Sequence, residues 1–171
     1  MERKNPPLAP MVKTTDYGSA LRSLVDRKFQ ASYDHQAQHW RANRAGAHPL
    51  ILDFETRFLR RMLAHGVPMY AHSVVRTASE QNALYVRGVT KAKAGESPHN
   101  CGCAVDLIHG RKAWDLGEKS WEVIGHIGKE IALQAGLKIE WGGDWKFYDP
   151  AHWELAEWRD LARGYPFQGA W

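Results

Sequence analysis

Two short stretches hold the residues able to do chemistry. Residues 97–106 read Ser-Pro-His-Asn-Cys-Gly-Cys-Ala-Val-Asp, which places His99 and Asp106 seven positions apart with glycine and small residues between them. Residues 140–154 add Asp149 and His152. His99, Asp106 and His152 together offer two imidazoles and one carboxylate. A catalytic zinc site takes three such ligands and leaves one position for water, whose pKa then falls to about 7. Hydrolysis also needs a base that is not itself a ligand. Asp149 is the candidate, with Pro150 fixing the chain before His152; Glu140 and Asp144, in the same Trp-rich turn, are rivals. Arg76 supplies a planar fork of donors for the developing oxyanion or for a substrate carboxylate. His72, on the same face of a predicted strand as Arg76, can line the site.

Each residue also has a structural reading. Asp106 alone fits a turn. Cys101 and Cys103 fit small buried residues in a tight loop, since one intervening residue strains a disulfide. His35, His39 and His48 lie in a polar stretch and read as solvated surface histidines. Most of the eight tryptophans read as packing, with one or two left to line a substrate.

Several elements must position these groups. Leu21, Leu24, Val25 and Phe29 predict a helix capped by Ser19. Pro49 opens a stronger helix with an apolar stripe of Leu52, Phe54, Phe58, Leu59, Met62 and Leu63, stopped by Gly66. Residues 67–76 alternate as a strand that Arg76 ends. Thr77-Ala-Ser-Glu80 is a capping box for a helix ending at Gly88. Residues 102–108 predict a second strand with Gly102, Ala104 and Asp106 on one face and Val105 and Leu107 on the core face. Ser120 is expected to cap a helix ending at Gly136. Strands over 137–141 and 146–155 flank a Gly142-Gly143 turn, and a short helix covers 156–163. Helices mixed with antiparallel strands make an α+β fold.

A chain of 171 residues suggests one domain, perhaps with an appended segment. With 44% hydrophobic and 25% charged residues it is globular rather than disordered. The formal charge of +4 suits an anionic partner, but the basic residues are scattered, so an anionic cell wall ranks above nucleic acid. Residues 1–15 read as a loose, proline-rich arm without the apolar core of a signal peptide. No apolar run approaches the ~20 residues of a membrane span.

Ser97-x-His99-x-x-Gly102-x-Ala104-x-Asp106 followed by Asp149-x-x-His152 resembles the zinc D-Ala-D-Ala carboxypeptidases, the D-Ala-D-Ala dipeptidases and the L-alanyl-D-glutamate endopeptidases of phage endolysins. The resemblance runs from about Leu50 to Leu155 and includes Arg76 with Gln81 and the approach Lys91–Ser97. The turn Trp141-Gly-Gly-Asp-Trp145 resembles the endolysin branch most. It implies a small antiparallel sheet flanked by helices, as in the hedgehog signalling domain. It implies zinc on His99, Asp106 and His152, and Asp149 as base where many relatives carry Glu, with Glu140 as fallback. Arg76 becomes the transition-state arginine, Ser97 a supporting hydroxyl, and Gln81 and Trp145 neighbours of the substrate.

The function implied is cleavage of the peptidoglycan stem peptide at L-alanyl-D-glutamate by a phage enzyme; the sequence leaves the oligomeric state open, with a monomer favoured. The runner-up is a D,D-carboxypeptidase or D-Ala-D-Ala dipeptidase. A metal-stabilised binding protein without turnover is the non-enzyme reading. The enzyme is expected to be made in the host cytoplasm and to reach the wall after release or within a virion. Residues 1–49 are an extension of unassigned role and residues 50–171 the peptidase domain.

Overall fold

Proline at the first turn of a helix costs no hydrogen bond, because its missing N–H has no intrahelical partner there. Pro49 begins a helix in this way, behind His48, whose Nδ1 accepts from the Leu50 N–H at 3.2 Å. Ile51, Phe54, Phe58 and Met62 recur along one face of that helix and are fully buried. It stops at Gly66, whose φ of 80° is left-handed. The Phe54 and Phe58 rings lie 5.1 and 5.8 Å from the ring of Trp153, at the centre of the core.

The computed structural model describes residues 14–164. In chain order the elements are α1 (Thr14–Leu24), α2 (Arg27–Gln30), α3 (Tyr33–Gln38), α4 (Pro49–His65), β1 (Met69–Ser73), α5 (Ala78–Val86), β2 (Ala104–His109), α6 (Glu118–Ala135), β3 (Ile139–Trp141), β4 (His152–Leu155) and α7 (Trp158–Gly164). One-turn 3-10 helices, Pro98–Cys101 and Gly142–Asp144, precede β2 and follow β3. The strands form an antiparallel sheet in the order β1-β2-β4-β3. This is the expected α+β arrangement.

Side chains alternate across the sheet. Val105 is opposite Trp153, and Trp153 is opposite Trp141, on the face that packs against α4 and α6. Asp106 is opposite His152, and Ala104 opposite Glu154, on the other face. The register between β2 and β4 therefore decides which groups meet. Two glycines let the sheet approach α6: a Cβ at Gly125 would fall inside the Trp141 indole, and one at Gly128 inside the Trp153 indole.

Residues 14–48 share this core. Helix α1 packs on α6 and α3 on β1, and Leu24 is 1% exposed. The Asp26 N–H donates to the Gly66 carbonyl at 2.9 Å, and His109 Nε2 donates to the Leu24 carbonyl at 2.9 Å.

Several local expectations are corrected. Residues 1–13 of the loose arm lie outside the described residues, and the first helix already begins at Thr14. Ser19 is internal to that helix and accepts from Arg22 instead of capping. The helix breaks at Val25 because the Asp26 side chain caps a new turn by accepting from the Phe29 N–H at 2.9 Å. Helix α6 begins at Glu118 behind Gly117, so Ser120 sits buried inside it. The last strand covers only His152–Leu155, because the Asp149 N–H turns back to the Gly142 carbonyl at 3.0 Å. His35 is buried, its ring nitrogens 3.1 and 3.3 Å from the Gln30 and Met69 carbonyls, so it is no surface histidine.

Candidate active site

His99 stands in the 3-10 turn before β2. Ser97 caps that turn, its Oγ accepting from the His99 N–H at 3.3 Å. Gly102 ends it with a φ of 62° and swings the chain into β2; a Cβ there would lie 2.7 Å from the Ala47 Cα. The strand expected from residue 102 thus starts at Ala104, and Gly102 is the bend before it. His99 is 2% exposed, and its Nδ1 lies 2.8 Å from the Val74 carbonyl. A carbonyl only accepts, so Nδ1 carries the proton and Nε2 turns a lone pair inward.

His99 Nε2, Asp106 Oδ1 and His152 Nδ1 lie 3.0–3.2 Å from one another. The other nitrogen of His152, Nε2, is 2.9 Å from Glu154 Oε2. With both imidazoles neutral, each outer nitrogen donates to an acceptor and each inner one is a bare lone pair. Three acceptors then converge on one point, and only a cation satisfies them. Ligand bonds of about 2.0–2.1 Å in tetrahedral geometry place ligand atoms roughly 3.3 Å apart, so the triad fits a small divalent metal. Among the described residues this triad is the group of histidines, cysteines and acids able to hold one.

Without a metal the same atoms share protons. Burial alone would raise the Asp106 carboxyl, but the two imidazoles hold it well below the usual carboxylate range. Burial lowers His99. Burial also opposes charge on His152, yet its hydrogen bonds to Asp106 and Glu154 prevail and raise it to about 9.

Arg76 lies beside the triad. It donates to Gln81 Oε1 at 2.9 Å, to Ser73 Oγ at 3.2 Å and to Asp106 Oδ2 at 3.2 Å. A guanidinium has five N–H donors, of which these contacts use three, leaving two without a partner among the described residues. Asp149 is half-buried, its carboxyl raised by that burial and by the charge of Asp106 and lowered by His152, His99 and Arg76. It is therefore within electrostatic reach of every member of the cluster without ligating.

A family model described as D-alanyl-D-alanine carboxypeptidase matches residues 90–155, which take in His99, Asp106, Asp149 and His152. Over 128 residues the chain is 33% identical to the peptidoglycan L-alanyl-D-glutamate endopeptidase CwlK of Bacillus subtilis (strain 168), covering 63% of this chain and 72% of that enzyme. The chain belongs to this peptidase family. The peptidase also resembles the crystal structure of the Serratia marcescens L-Ala D-Glu endopeptidase ChiX, with a TM-score of 0.53 and 28% identity over 70% of this chain and 87% of that one.

The structure brings most of the expected residues of the peptidase together. Gln81 is fully buried, holding Arg76 on one side while its Nε2 donates to the Ala92 carbonyl at 2.7 Å. The Trp145 ring lies 5.3 Å from that of His152. Asp144 instead pairs with Lys129 at the surface at 2.9 Å. Glu140 is exposed on β3, two strand positions from the triad and opposite Glu154. Cys101 and Cys103 are free thiols, as expected. His72 occupies the bulge between Ala71 and Ser73, its ring edge-on to Trp114 at 4.7 Å.

Two residues escaped the sequence reading. Glu154 orients His152, and its signal was the i, i+2 spacing that puts both on one strand face. Asn100 ties the site loops together: its Nδ2 donates to the Arg76 carbonyl at 2.8 Å while its Oδ1 accepts from the Gly95 N–H at 3.0 Å. Nothing local marked its link to the Arg76 carbonyl, 24 positions away, which only tertiary folding brings near.

Proposed function

We propose that this peptidase is a zinc enzyme that hydrolyses the L-alanyl-D-glutamate bond of the peptidoglycan stem peptide. The observation that carries the reading is the convergence of three acceptor atoms beside a non-ligating carboxylate, Asp149. The named activity of the CwlK and ChiX relatives supports the choice of bond. The Trp141–Trp145 turn supports a phage lysis role, and with it delivery from the host cytoplasm to the wall.

Zinc held by His99, Asp106 and His152 would supply a water of lowered pKa and a Lewis acid for the scissile carbonyl. Asp149 takes the proton of the attacking water and delivers it to the leaving amine of D-glutamate. The two free N–H donors of Arg76 face the developing oxyanion or a substrate carboxylate. Gln81 and Asp106 fix the guanidinium beforehand, so little reorganisation remains at the moment of reaction. Glu154 and the Val74 carbonyl hold the two imidazoles in their ligating tautomers.

Mass spectrometry of purified peptidoglycan digested by the zinc-loaded protein, beside Asp149→Ala, tests this. New N-terminal D-glutamate, with L-alanine left on the glycan, is expected from the wild type alone. Release of D-alanine would instead assign the carboxypeptidase activity that describes the matching family model, and no cleavage by protein that holds zinc would refute turnover.

A further inference from the structure

A groove of about 530 Å³ opens beside Asp149, lined by Trp114, Leu116, Glu118, Trp121, Tyr148 and Pro150. Pro150, the residue after Asp149, lines it, and Trp114 is in contact with His72, next to the Ser73 that holds Arg76. The groove therefore borders residues that adjoin the reaction site. Trp114 and Tyr148 are each half-exposed, whereas Trp121 in the same lining is buried. They present broad apolar faces to solvent at its mouth.

The turn that carries Trp114 is rigid. Ala113 holds a left-handed φ of 50°, uncommon for a residue with a Cβ and an outlier that favours a functional reading. Its N–H donates to the His109 carbonyl at 2.8 Å. The buried His109 ring braces the turn: Nδ1 accepts from the Arg111 and Lys112 N–H groups, both at 3.2 Å, while Nε2 donates to the Leu24 carbonyl. An aromatic side chain held in place before binding loses little freedom when a ligand arrives.

The lining selects by charge. Among the described residues its one carboxylate is Glu118, and neither lysine nor arginine lines it. The anionic D-glutamate half of the substrate is poorly matched there and well matched to Arg76. On the other side of the cut bond stands L-alanine, and then the muramic acid, whose lactyl carboxyl is consumed in the amide. That half is uncharged and begins one residue away, about 3.5 Å of extended chain. Pyranose rings offer C–H faces to aromatic side chains and hydroxyl and acetamido groups to Glu118 and the Tyr148 phenol.

We infer that the Trp114–Tyr148 groove is a saccharide subsite that takes the N-acetylated glycan next to the scissile bond. The inference rests on the endopeptidase reading above and deepens it: the enzyme reads the sugar as well as the peptide.

The test compares zinc-loaded wild type and Trp114→Ala on two substrates of equal peptide sequence, one bearing the disaccharide on L-alanine and one N-acetylated in its place. Wild type is expected to prefer the disaccharide substrate in kcat/KM, chiefly through KM, and Trp114→Ala to lower that preference about tenfold, the scale of one aromatic contact. Trp114→Phe should restore part of it. Equal kcat/KM on both substrates in the wild type, or an unchanged ratio in Trp114→Ala, overturns the subsite while leaving the endopeptidase intact. Cleavage of neither substrate overturns the endopeptidase reading instead. An independent readout is titration of wild type with an N-acetylglucosamine trimer followed by tryptophan fluorescence. Saturable quenching lost in Trp114→Ala supports the subsite, and binding that survives the substitution places the sugar elsewhere.

Discussion

Metal binding to this site should release one proton from its protein ligands. In the metal-free chain His152 stands between Asp106 Oδ1 at 3.0 Å and Glu154 Oε2 at 2.9 Å. Burial disfavours its charge, but the hydrogen bonds to the two carboxylates outweigh burial and raise its pKa from 6.5 to about 9. His99 is kept neutral by its burial and Asp106 is ionised. A ligating imidazole must be neutral, so between neutrality and pH 9 one proton leaves the protein, not two, in addition to what the zinc-bound water gives up above about pH 7. Competition by the His152 proton alone lowers affinity tenfold for each pH unit below 9, about 1.4 kcal/mol per unit, or about 100-fold from pH 9 to pH 7. Calorimetry of zinc binding in buffers of different ionisation enthalpy counts the proton, and competition with a chelating indicator across this range gives the slope. The count should be close to one at about pH 6, where a zinc-bound water still keeps its proton, and approach two at about pH 8, where that water ionises as well. A count of zero at about pH 6 would show His152 already neutral and refute the bridge; a count of two there would show that His99 is protonated as well. Glu154→Ala removes one acceptor, so the count at about pH 8 should drop by most of one proton. Above pH 9, where protons no longer compete, the same variant should bind zinc about 10–100-fold more weakly because the ring is no longer oriented. The raised pKa also bears on the metal-free fold: the bridge contributes stability that is fully present below pH 6.5 and is lost as pH rises through about 9.

Arg76→Ala should retain zinc, measured by metal analysis, while kcat falls about 10²–10³-fold, the scale of losing one transition-state donor. An unchanged kcat would remove Arg76 from the mechanism. Gly128→Ala should destabilise the fold by about 1–3 kcal/mol through overpacking, because its Cβ would enter the Trp153 indole. Thermal unfolding should then shift by about 2–4 °C per kcal/mol, and an unchanged midpoint would show that α6 does not rest on that ring.

The local signals that came true are those whose partners lie within one turn of helix. Thr77 and Glu80 form both halves of the capping box. Gly66 and Gly136 adopt left-handed caps where the apolar stripes end. The signals that failed had a competitor outside the local window. Ser120 is a good cap by type, but Gly117 exposes the first N–H groups earlier and the helix gains acidic Glu118 in its first turn. His35 looks solvated in a polar segment, yet the Gln30 and Met69 carbonyls give its ring buried partners.

Residue type and short spacing determined the chemistry on offer: two imidazoles, a ligating carboxylate, a spare carboxylate and an arginine fork. The pattern was strong enough to resemble one family, because Gly102, Ala104 and Ser97 are dictated by the backbone that must present His99 and Asp106. Only the tertiary structure decided that His152, 53 positions from His99, meets it at 3.2 Å. That meeting depends on the register of β2 against β4, which is fixed by Val105 and Trp153 packing on the opposite face of the sheet. A slip of β4 by one residue would turn His152 into the core. Tautomers, proton sharing and the orienting role of Glu154 follow from that register. No local rule carries them, since hydrogen-bond partners distant in sequence become neighbours only when the core closes.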